Sequence, residues 1–427
     1  MVHANRRQLM AAGLGASAAS RPGAAKADSS SLRAGLEHYV SLGSKASGGP
    51  GDEAAGAWLQ TRLDRLGFST ERRLIEAPAF EPEMASLSRG SWQAPIIPLA
   101  IVQPTGPEGV IAPIVVAPPW ANGESLAGRI ALVVLPHARW SSAAAGAVRQ
   151  PIKSAIDAGA VAVALVTTGP TGEAIALNTD GREPLFDRPV ASLAPRDAAP
   201  FLAPSPEPGR LLITGRRFRR PAFNLIARLD RGRSSWLVVS TPRSGWFTCG
   251  GERGPGVAAW LALAEWASRA RLGVNLAFIC TSGHEYENLG VAKLLEGGAP
   301  APSQTALWAH LGANLAARDW HETAAGLTPL PSPDPQRFLV GSPELLEACR
   351  RAFLGQAGLE RPYATNVGSA GELTQILASG YARVVGVFGA HRFHHVASDD
   401  LRCVDARLVA QAVEGFKRLI RAAVAQS

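Results

Sequence analysis

From residue 221 onward the chain alternates between two kinds of apolar pattern. Short, nearly unbroken apolar runs read as strands: Phe223–Leu229, Trp236–Ser240, Val274–Thr281, Thr305–Leu311 and Arg383–Phe388. Between them, apolar residues at helical spacing predict helices over about 255–271, 286–296, 342–356, 371–380 and 405–425. Unbroken apolar strands alternating with helices imply a mostly parallel sheet covered by helices on both faces. In such sheets the ligand crevice lies beyond the carboxyl ends of the strands.

The earlier half of the chain reads differently. Residues 51–67 form one helix, with Asp52 placed to cap it, an apolar stripe of Ala55, Trp58, Leu59, Leu63 and Leu66, and Gly67 at its end. Phe68 to Ile75 then alternates as a strand. From about Pro78 to Arg220 the chain becomes rich in proline, alanine and β-branched residues. Two apolar strands stand out there, Arg129–Leu135 and Ala160–Val166, around a helix at about 151–159. The basic run Arg216-Arg217-Phe218-Arg219-Arg220, beside Pro221, reads as a solvated linker.

Composition narrows the classes. Of the 427 residues, 46% are hydrophobic and 18% charged, which excludes a disordered or coiled-coil chain. No apolar stretch reaches the ~18 residues of a membrane-spanning helix. The net charge of +8 owes four positive charges to residues 1–27, where Arg6, Arg7, Arg21 and Lys26 meet no acid. That distribution argues against nucleic acid as a partner. The same segment reads as an export signal: paired arginines, a weakly apolar stretch to Ala19, and Ala25-Lys26-Ala27 as the cleavage site. It resembles a twin-arginine signal, with Asn5 and Leu9-Met10 departing from the usual neighbours, and predicts a periplasmic or secreted protein. Cys249, Cys280, Cys349 and Cys403 have no C-x-x-C spacing and identify no bridge.

Chemistry gathers at the predicted strand ends. Thr241-Pro242-Arg243-Ser244 follows one strand, and Gly250-Gly251-Glu252-Arg253-Gly254 precedes the helix at 255. Ser282-Gly283-His284-Glu285 follows the next strand, His310 lies within another, and His391-Arg392-Phe393-His394-His395 leads to Asp399 and Asp400. Carboxylates and imidazoles drawn from distant stretches to one sheet edge are what a zinc site with an open position requires.

In this order and spacing the chain resembles the co-catalytic zinc exopeptidases, the group of bacterial leucyl aminopeptidases, glutamate carboxypeptidase and the transferrin receptor. The resemblance covers about 35–75 and 221–427, and begins at Gly48-Gly49-Pro50-Gly51-Asp52-Glu53-Ala54. Residues of about 80–218 are similar to a protease-associated domain, above all Ala155-Ile156-Asp157-Ala158-Gly159-Ala160-Val161 and Pro189-Val190-Ala191-Ser192-Leu193. It implies an α/β fold with a mostly parallel sheet sandwiched by helices and an inserted β-rich domain. The expected division is an export signal over 1–27, the exopeptidase-like domain over 28–78 and 219–427, and the insertion over 79–218.

Carried over residue by residue, the resemblance places the bridging acid on Glu252, the general base on His284, the next ligand on Glu285, and the last histidine on His395, with His394 as the fallback one position earlier. The strand-end acid falls on His310, and the first histidine on Thr241, near the cation Arg243. The resemblance thus implies at most one zinc ion, on Glu252, Glu285 and His395. His284 takes the general acid–base role, His310 the oxyanion or a fourth ligand, and Asp399 orients His395. Trp246, Trp308 and Trp320 are either pocket wall or core. Two functions follow: a zinc-dependent hydrolase of peptides or small amides, or a metal-free binding or scaffolding protein of the same fold.

Overall fold

The computed structural model describes residues 29–117, 125–324 and 326–425. The expected export signal lies outside them. In chain order the elements are α1 (Ser29–Ser41), α2 (Pro50–Arg65), β1 (Ser69–Arg89), β2 (Trp92–Pro98), β3 (Val110–Ala117), β4 (Ile130–Val134), α3 (Gly146–Asp157), β5 (Ala162–Val166), β6 (Val190–Leu193), α4 (Ala199–Leu202) and β7 (Pro208–Leu229). There follow β8 (Trp236–Pro242), α5 (Gly254–Arg269), β9 (Asn275–Thr281), α6 (Leu289–Leu295), β10 (Thr305–Leu311), β11 (Arg318–Thr323), β12 (Gly326–Pro333) and β13 (Arg337–Gly341). The last are α7 (Leu346–Ala352), β14 (Tyr363–Ala364), α8 (Glu372–Ala378), β15 (Val384–Gly389) and α9 (Ala406–Val424).

One continuous sheet runs in the order β1-β2-β6-β5-β4-β3-β7-β9-β8-β10-β15-β13-β14, and β1 also pairs with β7. The half of the sheet built from residues after 221 follows the sequence pattern. β9, β8, β10 and β15 pair in parallel, and antiparallel strands β7 and β13 flank them. Alternate residues face opposite layers. Leu225, Ala227, Leu237, Val239, Leu276 and Phe278 pack with α1, α2, α5 and α9. Ile226, Val238, Ala277 and Ile279 face α6 and α8. Two buried layers on a sheet with a two-residue period explain why these strands read as unbroken apolar runs.

Three expectations change. The Arg216–Arg220 run is strand, not linker: it sits inside β7, paired with residues 77–81 of β1. Alternation of exposed arginines with Phe218 on a ribbon suits the extended backbone as well as a linker would. β1 and β7 pass without a break through the boundaries expected at 78/79 and 218/219. Asp52 is not the cap of α2. Gly49 holds that place, and the Asp52 carboxylate reaches back to the Gly48 N–H from inside the first turn. Helix α2 lies close on β7, and Gly56 permits it. A Cβ there would stand 2.3 Å from the ring of Phe223.

Candidate functional site

The turn that carries Glu252 is held from below by Asp399. Its Oδ1 accepts from the Gly251 N–H at 2.6 Å and its Oδ2 from the Glu252 N–H at 3.1 Å. Gly251 has no side chain because none fits: a Cβ would meet His391 Cε1 at 2.6 Å and Asp399 Oδ1 at 2.9 Å. The turn leads directly into α5, and the Glu252 side chain, 1% exposed, points to His395.

His395 sits in a left-handed conformation, φ 59°, after the end of β15. Its Nδ1 lies 2.9 Å from the Ala176 carbonyl oxygen and its Nε2 3.2 Å from Glu252 Oε1. A carbonyl oxygen only accepts, so Nδ1 carries a proton. Nε2 and the carboxylate oxygen then face each other with a proton or a cation between them. His394 stacks on His395, ring centroids 3.9 Å apart. Its Nε2 reaches Ser141 Oγ at 3.2 Å, and its Nδ1 is buried without a hydrogen-bond partner among the described residues.

Glu252, His394 and His395 each offer one donor atom, all within 4.8 Å of one another. These residues fit a zinc ion. The set is one oxygen and two nitrogens, the Nδ1–H of His395 is fixed by a carbonyl, and His394 Nδ1 is an orphan. Two zinc ligands at tetrahedral positions stand about 3.3 Å apart, close to the observed 3.2 Å. Burial acts to raise the Glu252 carboxyl pKa, but the Arg253 guanidinium and the two histidines outweigh it and hold it well below the usual range. Burial, helped by His395, pushes His394 well down, toward the neutral ring that a metal ligand needs.

Glu285 is not in this group. Its Oε1 accepts from the Ser47 N–H at 2.8 Å, and its Oε2 from Ser47 Oγ at 2.7 Å and Ser244 Oγ at 2.8 Å. With these three donors the carboxylate ties the segment before α2 to the loop after β8. Arg243 also faces away from the site. It pairs with Asp52 at 2.9 Å and donates to the carbonyls of Cys280 and Phe223, wholly buried. Asp399 does not touch the His395 ring; it braces the Glu252 turn and pairs with His391 at 3.3 Å. Thr241 is spent on the Leu311 carbonyl.

The other expected residues meet around an acid that no motif signalled. Glu372, the first residue of α8, is buried and accepts from Thr281 Oγ1 at 2.7 Å. His284 Nδ1 lies 3.8 Å from its Oε1 and His310 Nδ1 4.0 Å from its Oε2. The register of β8 with β10 sets Ser240 beside His310, and Ser240 Oγ meets His310 Nδ1 at 2.9 Å. Burial lowers the pKa of His310 to about 4, against the pull of Glu372, so its ring is neutral at pH 7. His284 keeps a 13% exposed side chain, the most accessible of these groups. Of the three tryptophans, Trp308 and Trp320 are core, and Trp246 flanks the His395 ring while donating to Asn178.

No family model matches the chain, and no curated protein does either. Solved structures match over most of their length. A zinc aminopeptidase from Bacillus subtilis is 13% identical, with a TM-score of 0.73, covering 92% of this chain and 94% of the other. The chain has the fold of a zinc aminopeptidase. A peptidase M28 precursor from Shewanella amazonensis is 16% identical, TM-score 0.71, over 93% and 94%. An aminopeptidase from an Aneurinibacillus strain is 14% identical, TM-score 0.66, over 93% and 94%.

Sequence reasoning missed three functional candidates. His394 stood only as a register alternative, although two consecutive histidines before an aspartate are a visible signal. Arg253 and Glu372 carry no motif. Only the close approach of α5 and α8 to the strand ends brings them in.

Proposed function

We propose that the chain is an exported, peptidase-like hydrolase of peptide or amide bonds that works with one zinc ion on Glu252, His394 and His395. The observation that carries this reading is the pairing of Glu252 Oε1 with His395 Nε2 across 3.2 Å, beside the orphan Nδ1 of His394. A zinc ion on three protein ligands supplies an acidified water and a Lewis acid for the amide carbonyl.

The chain's own residues do the rest. His284, reachable from solvent and with Nδ1 3.8 Å from the Glu372 carboxylate, moves the proton from water to the leaving amine. His310 stays neutral and lines the same strand ends. Asp399 holds the Glu252 turn in place through two N–H groups. The 79–218 insertion, which we read as a protease-associated domain, supplies Ser141, Ala176 and Asn178 around the histidines and Trp246.

A second reading has its own observation. Arg253 Nη2 stands 2.7 Å from the same Glu252 oxygen, so the buried carboxylate already has a cation inside the protein. On that reading the fold serves as a metal-free binding or scaffolding protein.

Metal analysis with an activity assay separates the two. The hydrolase reading expects close to one zinc per chain and chelator-sensitive cleavage of aminoacyl-4-nitroanilides, both lost in His395→Ala. A protein that takes up no zinc and melts at the same temperature with and without chelator supports the scaffold instead.

A further inference from the structure

Arg253 carries a buried positive charge that its surroundings match only in part. Its side chain is 1% exposed. Nε donates to the Ser244 carbonyl at 3.2 Å. Nη2 lies near Glu252 but is not aligned for a hydrogen bond, and neither Nη1 nor Nη2 has a hydrogen-bond partner among the described residues. A guanidinium presents five N–H donors in one plane. Most of those on Arg253 are therefore buried without an acceptor, a rare condition in a folded protein.

The neighbourhood supplies little compensation. Glu252, the carboxylate paired with Arg253, is shared with His395. His310, which feels the Arg253 charge, is buried and driven toward its neutral form. Arg253 also caps the N-terminus of α5, a 16-residue helix whose dipole adds positive potential at the same place.

We infer that Arg253 is an anion-binding residue whose guanidinium nitrogens, which lack an aligned hydrogen-bond acceptor, take the carboxylate of a small ligand. The planar fork matches two carboxylate oxygens, which a point charge would not select. Joined to the hydrolase reading, on which this substrate assignment rests, it makes a peptide or amide with a free carboxylate the substrate class. The binding itself requires neither metal nor catalysis.

Calorimetric titration of the full chain with N-acetylglycine and with its neutral amide tests the inference. The acid is expected to bind at least tenfold tighter than the amide. Arg253→Met should abolish that preference in a protein whose circular dichroism is unchanged. Arg253→Lys, which keeps the charge without the fork, should reduce it at least threefold and serves alone if the methionine variant does not fold. Equal affinities in the native protein, no binding of the acid, or an undiminished preference in the variants would overturn the assignment. A protein that binds the acid through Arg253 but neither takes up zinc nor cleaves anilides keeps this inference and loses the hydrolase.

Discussion

Two buried groups near the same turn each gather three side chains of metal-binding type, and they differ in what those side chains already hold. In the first, Glu252, His394 and His395 face one another with a nitrogen left over. In the second, His391, Asp399 and Cys403 lie just as close, but Asp399 has given its two oxygens to the Gly251 and Glu252 N–H groups and to His391. Burial pushes the Cys403 thiol well up, away from the thiolate a metal takes. Proximity of ligand types is thus a weak criterion. Whether their lone pairs are already committed decides between a site and a brace. Glu285 teaches the same lesson: a carboxylate holding three hydrogen bonds has little left to offer an ion.

The widest test of that contrast is Glu252→Gln. It removes one partner of the buried pair with Arg253 and leaves a guanidinium uncompensated. We expect zinc uptake to vanish and urea denaturation to show a loss of about 3–5 kcal/mol. A stable variant that still binds zinc would break the comparison at its first member.

The pH dependence of stability probes the neighbouring imidazole. The folded pKa of His310, about 4, lies below the unfolded value near 6.5. Between these values the unfolded chain binds the proton and the folded one does not, so stability falls as pH drops from about 6.5 to about 4. The expected loss is about 3 kcal/mol. Glu372, whose carboxyl is held below its ordinary value despite burial by His284 and His310, acts in the same direction at still lower pH. The charges facing His310 are those of Glu372, His284 and Arg253. His310→Gln should flatten the profile over this window in urea melts, and an unchanged slope would contradict the assignment.

Smaller effects sharpen the second group. Asp399→Asn weakens the two N–H bonds beneath Glu252 and should cost about 2 kcal/mol. Cys403→Ala should cost roughly 1 kcal/mol and leave the zinc content unchanged. Loss of metal from the cysteine variant alone would move the metal site to the second group.

Much of the fold was legible because burial on both faces forces unbroken apolar strands. The runs at Trp236–Ser240, Val274–Thr281 and Thr305–Leu311 became β8, β9 and β10 within two residues. Strands with one face in solvent were harder to read. β2, β11 and β12 carry exposed and half-exposed positions that break the apolar signal, and the arginine run of β7 resembled a linker for the same reason. Strand-end placement made Glu252, His395, His284 and His310 candidates.

Local pattern settles which residues stand at the ends of buried strands, since two-residue alternation and helical spacing are properties of neighbouring positions. It therefore determined an α/β sheet protein with acids and imidazoles along one edge. Which of those groups meet is a matter of approach between segments far apart in the chain. Only the tertiary structure could bind Glu285 to Ser47, turn Arg243 onto Asp52, and lay Arg253 and Glu372 among the histidines. A side chain's chemistry is set by the hydrogen bonds and charges around it, and those partners are chosen by packing.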